Sequence, residues 1–353
     1  MNANKPHIEK HIIFTDAVVK EALVKINKLG PDAILFVADQ EFKLVGSLTD
    51  GDVRRGLLNG LSIDDYVTDF IQSNPFFIQK NQYDLNAIQH FRKKNILILP
   101  VLNADGVIIN IINLRLLKSY LPLDAVIFAG GEGRRLRPLT EHVPKPMLKV
   151  GDKPIIEHNI DWMASYGIDE IWITLKYLGN QISEYIGTGD SKKIQIQYVT
   201  ETKPLGTFGA ISLIDSFQED VILVVNSDIL TNIDYEDYFL SFMESGADMA
   251  VATIPYNVDI PYAVLEQNNG FVTGFKEKPR YTYYSNAGIY LVKRELLSII
   301  PKESFYNATD FMEQLIQDGK KVYSYPIRSY WLDIGKHEDY LQAQQDIKHI
   351  NLV

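Results

Sequence analysis

Residues 130–146 gather the groups that could hold a polyphosphate: Gly130, Gly131 and Gly133, then Arg134, Arg135 and Arg137, then Lys145 between Pro144 and Pro146. Glycines let a backbone come close to a ligand and aim its N–H groups at phosphate oxygens. Fixed cations behind such a turn neutralise the charge that a triphosphate brings. The run at 124–128 is apolar and short, which reads as a buried strand ending at the glycines. A strand, a glycine turn and a set of cations together point to a nucleotide. Downstream, Asp228 is the first acid after a second apolar run at 221–225. A carboxylate in that position suits a hard metal ion, and magnesium normally accompanies triphosphates. Taken alone, Asp228 could equally cap a helix or a turn.

Two common nucleotide motifs are excluded. A dinucleotide fingerprint needs a third glycine where Leu136 stands, and no Gly-Lys-Ser/Thr follows the turn as a P-loop would require. What is present is G-x-G-x-R-L-x-P-L-T followed by P-K-P, carried by Gly131, Gly133, Arg135, Leu136, Pro138, Leu139, Thr140, Pro144, Lys145 and Pro146. This pattern closely resembles the signature of the sugar-1-phosphate nucleotidyltransferases, or nucleotide-sugar pyrophosphorylases, of the mannose-1-phosphate guanylyltransferase kind. The bland alternative is an ordinary glycine-rich strand-to-helix turn.

The resemblance implies a reaction and a set of roles. A phosphate oxygen of a hexose 1-phosphate attacks the α-phosphorus of a nucleoside triphosphate, and pyrophosphate leaves. Such a nucleophile needs no general base, so catalysis is positioning and charge neutralisation. Arg135, Lys145 and Asp228 map onto the catalytic positions, and Gly130, Gly131, Gly133, Glu201, Gly206 and Thr207 onto the nucleotide site. Asp228 and Asp333, the latter within Trp331-Leu332-Asp333-Ile334-Gly335, map onto the family's magnesium ligands. Tyr262, Glu277, Lys278 and Asn286 map onto the shell around the sugar and its phosphate. The chain departs from the pattern at Ala263, usually glycine, and at Arg134, commonly threonine.

Glu201 bears on the base. Guanine presents two adjacent donors, N1–H and its 2-amino group, and a carboxylate accepts both. Uracil and thymine offer one donor between acceptors, which suits an amide better. In the family resembled here, guanylyl enzymes tend to carry an acid at this position and pyrimidine-nucleotide enzymes a glutamine. GTP is therefore the expected substrate, with UTP, dTTP and CTP as alternatives of the same class. A solvated loop acid is the bland reading of Glu201.

The elements that must position these residues alternate. From residue 123 onward, apolar strand runs and helical segments (155–165, 180–186, 208–216) predict an α/β, mostly parallel Rossmann-like (GT-A-like) sheet with helices on both faces. Ligands in such sheets bind beyond the carboxyl ends of the strands, where the glycine turn and Asn226-Ser227-Asp228 fall. A domain boundary is expected at 120/121, near Leu121-Pro122-Leu123. Residues 1–120 read as an internal duplication of a β–α–β–β–α unit, with helical segments at 17–29 and 83–94. That half resembles a tandem cystathionine-β-synthase-type (CBS) pair, which implies an adenine nucleotide bound through Thr49 and Asp52 of Gly46-x-x-Thr49-x-x-Asp52. The matching second-copy positions are Asn110, Asn113 and Leu116, which lack the ribose carboxylate. A structural or dimerising pair is the other reading.

Composition narrows the class. The 353 residues carry a net charge of −10, which argues against nucleic acid as a partner. The chain has no cysteine, so disulfides, thiolate catalysis and Cys-ligated zinc are excluded. The opening residues lack the apolar core of a signal peptide, and no apolar run approaches a membrane span. The chain reads as a cytoplasmic enzyme, self-associating through its N-terminal half, that makes activated hexoses for bacterial surface glycans. Competing readings are a glycosyltransferase, disfavoured because Asn226-Ser227-Asp228 replaces Asp-x-Asp, and an inactive nucleotide-sensing subunit, disfavoured because Arg135, Lys145 and both aspartates are present.

Overall fold

The computed structural model describes residues 6–80 and 85–350. The chain divides into two units, residues 1–122 and 123–353. In the first, β1 (Ile12–Phe14), β2 (Ile34–Ala38) and β3 (Leu44–Thr49) form one three-stranded sheet, with helices Val19–Leu29 and Asp50–Leu58. A second such sheet holds β4 (Ile78–Gln79), β5 (Ile98–Leu102) and β6 (Ile108–Asn113), with helix Leu85–Lys93. In both, the first pair is parallel and the second antiparallel. The antiparallel pairs also share a register slip, after Val37 in one and after Val101 in the other. A shared irregularity of this kind is what a duplication leaves behind. Ile12, Phe36 and Ala38 meet Ile98, Leu102, Ile108 and Ile111 in one apolar cluster, so each half buries a sheet face against the other.

The second copy departs from the expected β–α–β–β–α order, because a turn at 114–116 replaces its closing helix. Asn113 fixes that turn: its side-chain oxygen accepts from Arg115 N, at 3.0 Å, and its amide donates to Asp32. Leu114 then folds inward among Leu99, Val101 and Ile112.

The second unit carries β7 (Leu123–Ala129), a small hairpin of β8 (Lys149–Val150) and β9 (Lys153–Pro154), β10 (Glu170–Leu175), β11 (Gln195–Thr200) and β12 (Val221–Asn226). β13 (Ile229–Thr231), β14 (Met249–Asp259), β15 (Val264–Asn268), β16 (Phe271–Lys276), β17 (Arg280–Lys293), β18 (Val322–Pro326) and β19 (Trp331–Asp333) follow. The main sheet has seven strands in the order β11-β10-β7-β12-β17-β14-β18. Its first four are mutually parallel, and β17 runs against both neighbours. Every residue of β7 is buried, as a central parallel strand covered on two faces requires. The chain moves outward from β7 to β10 and β11, then returns to the other side of β7 as β12. Strand order therefore reverses beside β7, the place where open α/β sheets bind ligands.

Helix Ile155–Ser165 has the bounds its sequence predicts, whereas the helix expected at 208–216 shrinks to Gly206–Gly209 and a 3-10 turn at Ala210–Leu213. Packing explains the shortening. Ile214 leaves the turn in an extended conformation and is buried in the same cluster as Phe208. The Phe208 ring is fully buried and lies 4.9 Å from the Phe311 ring, 5.5 Å from Tyr290 and 6.3 Å from Phe128. Phe208→Ala is expected to cost about 3–5 kcal/mol of unfolding free energy, read from urea titrations. A loss under about 1 kcal/mol would contradict this ring's place at the centre of the packing.

Candidate active site

Strand register builds the rim of the site. Thr200 pairs with Leu175, and Leu175 with Ala129, so the next residues, Glu201, Lys176 and Gly130, stand side by side at the strand ends. Phe128 pairs with Asn226 on the other flank, and Ser227 N donates to Phe128 O at 3.1 Å. A cleft of about 340 Å³ opens on this rim, lined among others by Gly130, Gly131, Lys145, Lys176, Glu201 and Asp228.

Two of the glycines answer specific demands. A Cβ on Gly130 would stand 2.6 Å from Glu201 Oε1. Gly133 has a φ of 61°, in the left-handed region, and a Cβ there would lie 3.0 Å from Lys145 Cβ. At Gly131 a Cβ would meet no protein atom within 4 Å, so the space beside it faces the open cleft. Thr140 donates to Gly133 O at 2.8 Å and fully buried Leu136 anchors the turn in a cluster with Leu148, Leu230 and Ile334. Those two signature residues shape the turn from beneath.

The cations divide. Arg134 is tied to Glu132 at 2.7 Å, and this bond holds the exposed Glu132 carboxyl below its usual range. Arg137 is also near Glu132, at 3.8 Å. Arg135 is exposed, does not line the cleft and makes no ion pair among the described residues. Lys145 is different: its side chain is only 14% exposed, and Nζ lies 2.5 Å from Asp228 Oδ2 and 3.6 Å from Asp333 Oδ1. A short ladder brings the two distant aspartates together. β13 and β19 are antiparallel with Ile229 opposite Asp333, and Ile334 N donates to Asp228 O at 3.0 Å.

This triad carries two carboxylates and one ammonium, a local excess of negative charge. The Asp333 carboxyl is accordingly held above the usual carboxylate range. Desolvation contributes most, although about half of the side chain, 52%, is exposed, then the Asp228 carboxylate, with Lys145 acting in the opposite sense. Such a pair fits a magnesium ion that takes its remaining ligands from phosphate and water. Among the described residues, no group of three or more acidic, histidine or cysteine side chains could hold a metal by itself.

On the far side of the turn, Glu201 is nearly buried, and burial pushes its carboxyl up despite the counteracting Leu205 N–H and Lys176. Glu201 Oε2 accepts from Leu205 N at 3.0 Å. Gly206, with φ of 74°, runs against the 306–307 backbone: a Cβ would lie 2.8 Å from Tyr306 O. Thr207 lines the cleft while its hydroxyl accepts from Ala308 N at 2.9 Å, tying this loop to the start of helix Ala308–Gln317. Sequence reasoning placed Asn226 at the rim as part of Asn226-Ser227-Asp228 without giving it a role, and missed Lys176, Phe305 and Asn307, which also line the cleft. For Lys176 a signal existed, since it is the first charged residue after a buried strand run, as Asp228 is the first acid after another. Asn226 Oδ1 is buried without a hydrogen-bond partner among the described residues, and a Cβ on Gly288 would lie 2.6 Å from its amide nitrogen.

The residues mapped to the sugar are not gathered at the cleft. Tyr262, Glu277 and Lys278 are exposed on the excursion between β14 and β17 that carries the β15/β16 hairpin. Asn286 is also exposed, and its Oδ1 accepts from Gly288 N at 2.9 Å, one residue pair away from the Asn226 contact. In the first unit, Thr49 and Asp52 form a capping box at helix Asp50–Leu58. Buried Asp52 accepts from Thr49 N at 2.8 Å, Thr49 Oγ1 at 2.5 Å, Gln72 Nε2 at 3.1 Å and Arg55. Burial opposes its charge, but these bonds outweigh burial and hold the carboxyl below its usual range. A ribose there would have to displace Gln72 or Arg55.

The fold and cleft define a nucleotidyl transferase. The profile of the family described as Nucleotidyl transferase matches residues 124–350, and the chain belongs to that family. The chain is similar to a UTP–glucose-1-phosphate uridylyltransferase of Synechocystis, with 29% identity over 65% of this chain and 66% of that protein. It is also similar to a mannose-1-phosphate guanylyltransferase of Mycobacterium tuberculosis, 32% identical over 64% of each. The match thus spans slightly under two thirds of both relatives. A Bacillus anthracis protein, assigned as a glucose-1-phosphate thymidylyltransferase and solved in complex with a sucrose, shares the fold over 65% of this chain and 96% of its own, with a TM-score of 0.54 at 24% identity. The family match begins at the second unit. Among the described residues, no helix is long and apolar enough to cross a membrane.

The raised Asp333 carboxyl has a measurable sign. A carboxyl whose folded pKa lies above its unfolded value destabilises the fold once pH rises through that range. Asp333→Asn is expected to raise the melting temperature of the metal-free protein at pH 8, with the gain vanishing as pH falls through the carboxylate range. A lowered melting temperature at pH 8 would mean that Asp333 is a net stabilising partner of Lys145 instead.

Proposed function

We propose that this chain transfers a nucleotidyl group from a nucleoside triphosphate, GTP by preference, to a hexose 1-phosphate. The products are a GDP-sugar, a precursor of the kind used for surface glycans, and pyrophosphate. The observation that carries this reading is the convergence of Lys145, Asp228 and Asp333 at the open side of the glycine turn. A bond forms between a phosphate oxygen of the sugar and the α-phosphorus, and the bond to the β-phosphate breaks.

Gly130, Gly131 and Gly133 leave room for the triphosphate against the turn, and Lys145 neutralises charge gathering on it. Magnesium, held by Asp228 and Asp333, would supply a second positive charge at the phosphates. Arg135, exposed in the structure, would reach the departing pyrophosphate by swinging over the turn. Glu201 would accept from guanine, with Gly206 and Thr207 shaping the wall of the base site. The exposed excursion bearing Tyr262, Glu277 and Lys278, with Asn286 at its root, would fold over the sugar phosphate. The first unit would serve as a CBS pair that self-associates or senses an adenine nucleotide.

Pyrophosphate release with magnesium, for each of GTP, UTP, dTTP and CTP against a panel of hexose 1-phosphates, tests the assignment. Release with GTP and one sugar is expected. Release with a pyrimidine nucleotide alone would overturn the role of Glu201. Losing an electrostatic group of this type costs about 10²–10³ in turnover, so Lys145→Ala is expected to fall by that factor. Near-normal turnover in Lys145→Ala would sink the proposal.

A further inference from the structure

Cleft residues separate along the sheet into two groups. Lys145, Asp228 and Asp333 gather at the β12 side of the glycine turn, where the phosphates would sit. Lys176 and Glu201 follow β10 and β11, on the opposite side of β7. The register places them at adjacent strand ends, and paired strands stand about 4.8 Å apart. Gly130 confirms the crowding, because a Cβ there would lie 2.6 Å from Glu201 Oε1 and 3.3 Å from Lys176 Cβ. Glu201 Oε2 is engaged by Leu205 N, which fixes the carboxylate. Lys176 makes no ion pair within 4.0 Å among the described residues, although it lines the cleft beside that carboxylate. A cation of this kind, close to an acid but not bonded to it, is placed to meet a ligand.

We propose that Lys176 is a specificity-determining residue that donates to O6 of guanine while Glu201 accepts from N1–H and the 2-amino group. The proposal rests on the GTP reading above and extends it to a residue outside the family signature. Guanine alone among the common bases presents an acceptor followed by two donors along one edge. Adenine would turn its 6-amino donor toward the ammonium and its N1 lone pair toward the carboxylate. Cytosine would face the pair with an amino donor and a lone pair in those same places. Uracil and thymine would satisfy Lys176 through a carbonyl but give Glu201 one donor and then a second carbonyl oxygen. Each wrong base thus leaves a charged group in the cleft unpaired or opposed, the costly arrangement.

Equilibrium binding of GTP and of 2-aminopurine riboside triphosphate to the full chain tests this, the second ligand being followed by its own fluorescence. That analogue keeps the 2-amino group and the triphosphate but lacks both O6 and the N1–H donor, so its binding carries no contribution from a Lys176 bond to O6, and its affinity for wild type is lowered at Glu201 as well. Wild type is expected to prefer GTP. Lys176→Met should weaken GTP by about 10- to 100-fold, the worth of a hydrogen bond to a charged group, while leaving the analogue hardly changed. Lys176→Arg, which keeps a donor, should recover part of the preference. Equal losses for both ligands would make Lys176 a phosphate contact and overturn the proposal. An unchanged GTP affinity would overturn it too. Failure of wild type to bind GTP, with a pyrimidine triphosphate bound instead, would overturn the guanine reading of Glu201 as well. A melting-temperature scan of Lys176→Met distinguishes any general loss of fold from these outcomes.

Discussion

Two carboxylates held against a single buried ammonium are the constraint from which the rest of the second unit follows. Asp228 lies beside Asp333, and desolvation and the Asp228 carboxylate both work against the Asp333 charge. The ladder between β13 and β19 fixes the pair through backbone hydrogen bonds, so side-chain repulsion cannot spread it. Lys145 offsets one charge and leaves the other uncompensated. A site of that composition is completed by added positive charge, which in the proposed reaction would be a metal ion arriving with the triphosphate.

The remaining geometry follows from strand order. A parallel sheet brings the carboxyl ends of β7, β10, β11 and β12 to one edge, and reversal of direction beside β7 leaves a gap there for ligand. Asp228 and Asp333, with Lys145, then lie on one flank of the glycine turn, and Lys176 and Glu201 on the other. Thr140 and Leu136 hold that turn from below, which leaves its upper side to the ligand.

Much of this was legible in the sequence, for a physical reason. Buried parallel strands are nearly all apolar, so the residues that end each run mark the ligand edge; the glycines from Gly130 and Asp228, the first acid after its run, stand out on that ground. Helix Ile155–Ser165 was readable because its apolar spacing is long and uninterrupted. Where the sequence was silent, tertiary packing decided. Arg135 sits in the signature, yet the 3-10 turn set by Gly133 sends its side chain to solvent. The helix after Gly206 ends early because Ile214 is drawn into the Phe208 cluster. Motif positions alone place Tyr262, Glu277 and Lys278 near the sugar, but no local pattern tells how the excursion between β14 and β17 lies against the cleft. Asp52 illustrates the same limit, since Gln72, the residue that occupies its carboxylate, is remote in sequence.

A lysine beside an α-phosphate can act in two ways: as a fixed charge, or as a nucleophile that carries the nucleotidyl group covalently. The contacts of Lys145 with Asp228 and Asp333 favour the first, because they turn its ammonium into an ion-pair partner. The stereochemical course at the α-phosphorus separates the two directly. With a GTP analogue bearing a chiral α-thiophosphate, one in-line displacement by the sugar phosphate predicts inversion of configuration in the GDP-sugar. Retention, the signature of two successive displacements through a covalent intermediate, would contradict catalysis by charge and positioning alone.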